Sequence, residues 1–80
     1  RITLEMDLNA LEIAEILCPD YFYIPYTRAD ILAYKGRKKE ALAILEKLLA
    51  RDPDANKQIP ENRAFLRMAK NLHNDIKNGK

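Results

Sequence analysis

The chain contains little of the material from which catalytic and metal sites are built. Its 80 residues include one cysteine, Cys18, one histidine, His73, and neither serine nor tryptophan. A lone cysteine excludes an internal disulfide and a zinc site that needs several cysteines, and beside Pro19 we expect it to be small buried filler. No cluster has metal-ligand spacing, and no glycine-rich phosphate loop occurs. We therefore expect no enzymatic activity, no cofactor and no metal.

Glycine, proline and long apolar runs are scarce as well. Two glycines and four prolines stand against 48% apolar and 32% charged residues, a globular composition that favours helix. No apolar run approaches the ~18 residues of a membrane-spanning helix. We predict no transmembrane segment and a soluble protein, cytoplasmic first and periplasmic as the alternative. Because the chain opens on Arg1 without an initiator Met or a signal peptide, we expect a fragment or a processed product.

The net charge of +2 hides an asymmetry along the chain. Residues 1–20 hold one base and five acids, a net charge of −4, whereas residues 21–80 hold 13 bases and seven acids, a net charge of +6. Such a split indicates either an electrostatic partner or an acidic, solvent-facing side of one helix. We favour the second interpretation.

Apolar residues recur at helical spacing in four segments, and no segment alternates with a period of two. The segments cover residues 3–17, 25–35, 38–51 and 61–77. The clearest stripe lies in the third segment and consists of Ala41, Ile44, Leu45, Leu48 and Leu49. Pro19 and Pro53 end the first and third segments, and Gly36 provides the left-handed residue that ends the second. The sequence thus predicts an all-α fold of four helices without a sheet.

An internal period connects these segments. Pro19-Asp20 and Pro53-Asp54 lie 34 residues apart, each just after an amphipathic helix, and the same shift superposes Leu11 on Leu45. A period of this length is typical of stacked helical hairpins.

Residues 22–55 resemble a tetratricopeptide repeat, a 34-residue helix–turn–helix unit. Four residues match the family's small, turn and terminal positions: Ala29, Gly36, Ala41 and Pro53. Pro25 and Arg28 depart from the pattern, since they stand where the family has a large aromatic residue and a leucine. Gly36 permits a tight reversal, and small side chains let antiparallel helices approach closely.

The resemblance implies a single domain over residues 1–80, made of stacked antiparallel helical hairpins. It assigns residues 3–17 to the second helix of an incomplete repeat, 22–55 to a full repeat and 61–77 to a terminal capping helix. The chain is then expected to be the C-terminal part of a longer solenoid scaffold.

Tyrosines crowd into the repeat, and several share one line along its first helix. Tyr23, Tyr26, Asp30 and Tyr34 lie along this line. In the resembled family these positions, together with Ala33, face the concave groove that holds a partner peptide. The resemblance therefore implies a non-catalytic module that binds a protein or peptide partner, with Asp30 favouring a cationic group. The alternative is that some of these rings pack against neighbouring helices.

Basic residues form two groups that give a second hypothesis, binding of nucleic acid or another anionic surface. The candidates are Lys35, Arg37, Lys38, Lys39, Arg63 and Arg67. Nucleic-acid binding needs this charge extended along one face and joined to stacking aromatics. We favour the interpretation that these are solvated surface residues, so nucleic acid is the less favoured partner.

A second resemblance concerns the last helix. Its start, Pro60-Glu61-Asn62-Arg63, and its continuation through Ala69 and Leu72 are similar, over a short stretch, to the last helix of the T-component of TRAP transporters. That similarity implies a periplasmic protein whose partner is a solute-binding protein.

The first helix lacks a hairpin partner, so part of its apolar surface is expected to be uncovered. The residues concerned are Leu4, Leu8, Leu11, Ile13 and Leu17. Exposed apolar area marks an interface. The sequence predicts a homodimer, most simply a two-fold one through this helix.

Overall fold

The computed structural model describes residues 8–79, and within them four α-helices follow one another without a β-strand. They are α1 (Leu8–Leu17), α2 (Tyr23–Tyr34), α3 (Lys38–Leu49) and α4 (Asn62–Lys77). The predicted all-α fold of about four helices is confirmed. The predicted start of the first helix and the expected exposure of Leu4 lie outside the described residues.

Helix ends fall close to the predicted positions. α1 ends at Leu17, two residues before Pro19. α2 begins at Tyr23, earlier than expected, because Pro25 is accommodated within the first turn, where its missing N–H costs no bond. α3 ends at Leu49 rather than at Arg51, and the Arg51 N–H bonds the Leu48 carbonyl at 3.0 Å in a tightened last turn.

Gly36 ends α2 in the left-handed conformation that the sequence predicts. Its φ is +85°, a region that side chains other than glycine enter only with strain. The Gly36 N–H bonds the Ala33 carbonyl at 3.1 Å, and the Arg37 N–H bonds the Leu32 carbonyl at 2.9 Å. These two bonds form a Schellman motif, which satisfies the carbonyls at the helix end and reverses the chain into α3.

The main core lies between α2, α3 and α4. Its most buried members include Ala29, Ala41 and Ala69, each with no exposed surface, together with Leu45 and Leu48. Small side chains at these contacts let the helix backbones approach closely. α2 and α3 form an antiparallel hairpin, and α4 packs against both.

A second, smaller core lies under α1. Leu11 packs there on Ile24 and Ile31 of α2, and Leu8 contacts both this core and the main core. Among the described helices, the backbone of α1 lies close to α2 alone. The guanidinium of Arg28 also pairs with the carboxylate of Glu15. α1 is therefore attached to the rest of the fold mainly through one face of α2.

The two proline-containing loops meet at one end of the molecule. The buried Asn62 side chain accepts a hydrogen bond from the Phe22 N–H at 3.0 Å and donates one to the Asp20 carbonyl at 2.8 Å. The Arg51 guanidinium donates to the Pro19 carbonyl at 2.9 Å and lies 4.8 Å from the ring centre of Phe22. These contacts fix the start of α4 beside the start of α2.

Candidate partner-binding face

Aromatic side chains gather where the start of α2 meets α4. Phe65 of α4 lies 5.3 Å from Tyr23, 5.9 Å from Tyr21 and 6.4 Å from Tyr26, measured between ring centres. Tyr21 and Tyr23 are 5.6 Å apart. Edge-to-face and tilted pairs at these distances stabilise the packing beyond the area they bury. We call these four residues the aromatic cluster.

The predicted groove residues differ in exposure. Tyr34 is 74% exposed, at the far end of α2 from the aromatic cluster. Tyr23 and Tyr26 are half-buried, and Tyr26 also packs against the main core. Ala33 is half-buried and likewise contacts that core. Tyr34 thus lies in solvent, and the rings of Tyr23 and Tyr26 pack on α4 while keeping part of their surface in solvent.

Asp30 lies between Tyr26 and Tyr34 on the same face of α2. It follows Tyr26 by four residues and precedes Tyr34 by four, so it is one helical turn from each. The Asp30 carboxylate is half-buried, and within residues 8–79 it has neither a hydrogen bond nor an ion pair. Burial raises the pKa of Asp30 above its ordinary value. The pKa of Tyr26 is raised first by its own burial and then by the negative charge of Asp30.

The chemistry of this face is suited to binding a cation. A carboxylate that is partly removed from water and lacks a basic neighbour attracts a cation. Tyr26 and Tyr34 lie one helical turn away on either side, and an aromatic ring also attracts cations because it is negative at its face. The face formed by Tyr23, Tyr26, Asp30 and Tyr34 can therefore hold a cationic side chain against an apolar surface.

Two residues that shape this face, Phe65 and Asn62, were not among the predicted site residues. Phe65 is assigned by its spacing to the apolar side of α4, and it does pack there, but it also completes the aromatic cluster. Its aromatic character, rare outside residues 21–34, was the one available signal. Asn62 is 2% exposed and anchors α4 beside Phe22; a polar residue in the first helical turn gives no sign of burial.

The six predicted anion-binding residues do not form one patch. Lys35, Arg37, Lys38 and Lys39 surround the turn between α2 and α3, whereas Arg63 and Arg67 lie near the start of α4. Because that start is bonded to the start of α2, Arg63 lies at the opposite end of the 12-residue α2 from the turn, a length of about 18 Å along the helix.

Two of these six bases are already paired. Arg37 holds Glu40 through bonds of 2.9 and 2.6 Å, and Arg63 holds Asp54 through two bonds of 2.7 Å. Hydrogen bonding to its acid raises the pKa of each arginine and lowers the pKa of Glu40 and of Asp54. Less positive charge is thus available for an external anion than the sequence indicates.

Cys18 and His73, the two remaining reactive side chains, lie far apart from each other in the sequence. Cys18 is exposed, so the expectation that it is buried filler is wrong, because it follows the end of α1 and no helix covers it. His73 Nε2 lies 3.3 Å from a carboxylate oxygen of Glu46. Among residues 8–79 no three His, Cys, Asp or Glu side chains are grouped as metal ligands.

No helix in the described part of the chain has both the length and the hydrophobicity to cross a bilayer. Comparison with protein-family models, with curated proteins and with solved structures gives no match to this chain. The resemblances to the tetratricopeptide repeat and to the TRAP T-component therefore remain predictions.

Proposed function

We propose that this chain is a non-catalytic interaction module that binds a protein segment or peptide along the exposed face of α2. The contact face consists of Tyr23, Tyr26, Asp30 and Tyr34, and a lysine or arginine of the partner lies at Asp30. The observation that carries the proposal is the Asp30 carboxylate, which is half-buried one helical turn from Tyr26 and from Tyr34 and has no hydrogen-bond or ion-pair partner within residues 8–79.

Holding the Asp30 carboxylate in this position costs free energy. Partial desolvation disfavours its ionised form, and within residues 8–79 no base offsets that cost. A partner's cation would offset it while gaining contact with the ring faces. Tyr34 adds a large, rigid apolar surface with a polar tip, a type of residue that contributes strongly to interfaces.

Peptide display against the folded chain tests the proposal. Random peptides are selected, the enriched sequences are synthesised, and their affinities are measured by fluorescence anisotropy. We expect enriched peptides to contain lysine or arginine. Asp30→Asn and Tyr34→Ala should each weaken their binding by about tenfold. Asp75→Asn removes an exposed carboxylate from α4 and should leave affinity unchanged.

Tyr34 and Asp30 are the appropriate positions for these changes because neither belongs to the main core. Truncation of Tyr23 or Tyr26 would also disturb the aromatic cluster and could not separate binding from folding. Circular dichroism of each variant confirms that the helices are intact. Full affinity in both Asp30→Asn and Tyr34→Ala, or enrichment of peptides without basic residues, would contradict the proposal.

A further inference from the structure

α1 carries an uncovered apolar face. Ile13, Ile16 and Leu17 are 59%, 79% and 75% exposed, although all three are large aliphatic residues on one side of a helix. Leu11, on the opposite side, is buried against α2. Exposed apolar residues scattered singly are normal, but a contiguous group marks an interface. No helix within residues 8–79 packs on this α1 face.

A cavity on the surface of α4 has a lining that complements the apolar, acidic surface of α1. An open cavity of about 440 Å³ is lined by Leu49, Leu66, Arg63, Arg67 and Lys70. Its leucines offer apolar contact, and its rim is basic. Arg63 is occupied by Asp54, but Arg67 and Lys70 have no hydrogen-bonding or ionic partner in the described part of the chain.

We propose that this α4 cavity receives the exposed α1 face of a second copy of the chain, so that copies associate head to tail. The aliphatic side chains of α1 would cover Leu49 and Leu66. Glu12, which is exposed at the edge of the α1 face, would approach the uncompensated charges of Arg67 and Lys70. Apolar contact provides most of the affinity, and the charges select the register.

Charge complementarity favours the head-to-tail contact between α1 and the α4 cavity over a two-fold pairing of α1 helices. α1 contains Glu12 and Glu15 and no basic residue, so two α1 helices would bring together surfaces of the same sign. That pairing would also leave Arg67 and Lys70 without a partner. The head-to-tail contact joins opposite signs instead.

The positions of the two surfaces allow the contact to repeat. Ile24 and Ile31 face α1, whereas Ala29 belongs to the core shared with α3 and α4. α1 and α4 thus pack on different sides of α2, and their backbones lie apart. A contact between different surfaces of identical chains is heterologous, so it continues into longer assemblies unless a ring closes.

Two complementary variants test the arrangement by sedimentation equilibrium. Ile16→Asp disables the α1 face, and Arg67→Glu with Lys70→Glu disables the α4 cavity. All three positions are exposed, and circular dichroism checks that each variant is folded. We expect the unaltered chain to exceed twice the 9.3 kDa monomer mass at high concentration, and each variant alone to remain monomeric.

The mixture gives the decisive result. The Ile16→Asp chain retains its α4 cavity and the Arg67→Glu, Lys70→Glu chain retains its α1 face, so an equimolar mixture should form a one-to-one complex and grow no further. Lys38→Glu with Lys39→Glu makes the same charge change at the α2–α3 turn and should leave association intact.

Three results would overturn this proposal: a monomer at every concentration, a mixture that stays monomeric, or a dimer that persists in the Arg67→Glu, Lys70→Glu chain. The last result would assign the contact to two-fold pairing of α1. Asp30 and Tyr34 take no part in this contact, so its failure would leave the proposed peptide-binding face untouched.

Discussion

Asn62 connects segments that are far apart in the sequence. Its amide accepts from the Phe22 N–H at 3.0 Å and donates to the Asp20 carbonyl at 2.8 Å. The side chain is almost fully buried, so water does not easily replace these bonds. A buried polar group without a partner costs about 1–3 kcal/mol.

We predict that Asn62→Ala lowers the free energy of unfolding by about 2–3 kcal/mol, because it leaves the Phe22 N–H and the Asp20 carbonyl without this partner. Urea denaturation measures the change. Asn71→Ala, on the exposed side of the same helix, should change stability by less than about 0.5 kcal/mol. Equal effects of the two substitutions would contradict this account.

Asp30 is expected to make the stability of the fold depend on pH. Burial raises its pKa in the folded state above the ordinary value of 3.8. The ionised carboxylate therefore opposes folding at neutral pH, and this penalty disappears as the pH falls through the raised pKa. We predict that Asp30→Asn makes the protein more stable at neutral pH and that this advantage vanishes below pH 3.8.

Urea denaturation of both proteins across this range measures the difference. The pKa values of Glu40 and Asp54 are lowered by their arginines, so those pairs stabilise the fold above the ordinary acid pKa and lose that effect as the pH falls. They act equally in the variant and in the unaltered chain, so the difference isolates Asp30. A less stable Asp30→Asn protein at neutral pH would contradict the assignment.

At the scale of elements, α1 differs from the other helices. α2, α3 and α4 share one core, whereas α1 reaches that core only through Leu8 and is otherwise held by the small core around Leu11 and by the Arg28–Glu15 pair. Segments with few buried contacts open locally at lower free energy than the whole protein unfolds. α1 is thus expected to detach before the other helices unfold.

We predict that Leu11→Ala releases α1 alone. Removing a buried leucine side chain costs about 2–5 kcal/mol, which here falls on the contact between α1 and α2. Hydrogen exchange should accelerate in α1 while the backbone of α2, α3 and α4 stays protected. Leu45→Ala, in the main core, should accelerate exchange throughout. Uniform acceleration in both variants would show that α1 unfolds with the rest.

The helices and their ends were predictable from the sequence because their causes are local. The spacing of residues such as Leu45 and Leu48 decides which side of a helix is buried, and Gly36 alone requires its left-handed backbone. The contacts of Phe65 with Tyr23 and of Asn62 with Phe22 join residues about 40 positions apart. No local periodicity reports such contacts, so this part of the candidate site was visible only in three dimensions.

At the scale of the molecule, the helices form a slab of 34 × 25 × 20 Å in which consecutive helices pack on one another. Among the described helices, α4 alone also packs on a helix that is not its neighbour in the sequence, namely α2. Folds built mainly from such local contacts close short loops, and their folding times lie in the microsecond to millisecond range. We expect stopped-flow or temperature-jump experiments to find this chain in that range.

The 40-residue separation between Asn62 and Phe22 has a kinetic consequence. Closing so long a loop costs more chain entropy than forming either neighbouring hairpin, so we expect the Asn62 bonds to form after the folding barrier has been crossed. Asn62→Ala should then increase the unfolding rate and leave the refolding rate nearly unchanged, which the two arms of a chevron plot measure directly. A slower refolding arm would instead place the pairing of α4 with α2 inside the transition state.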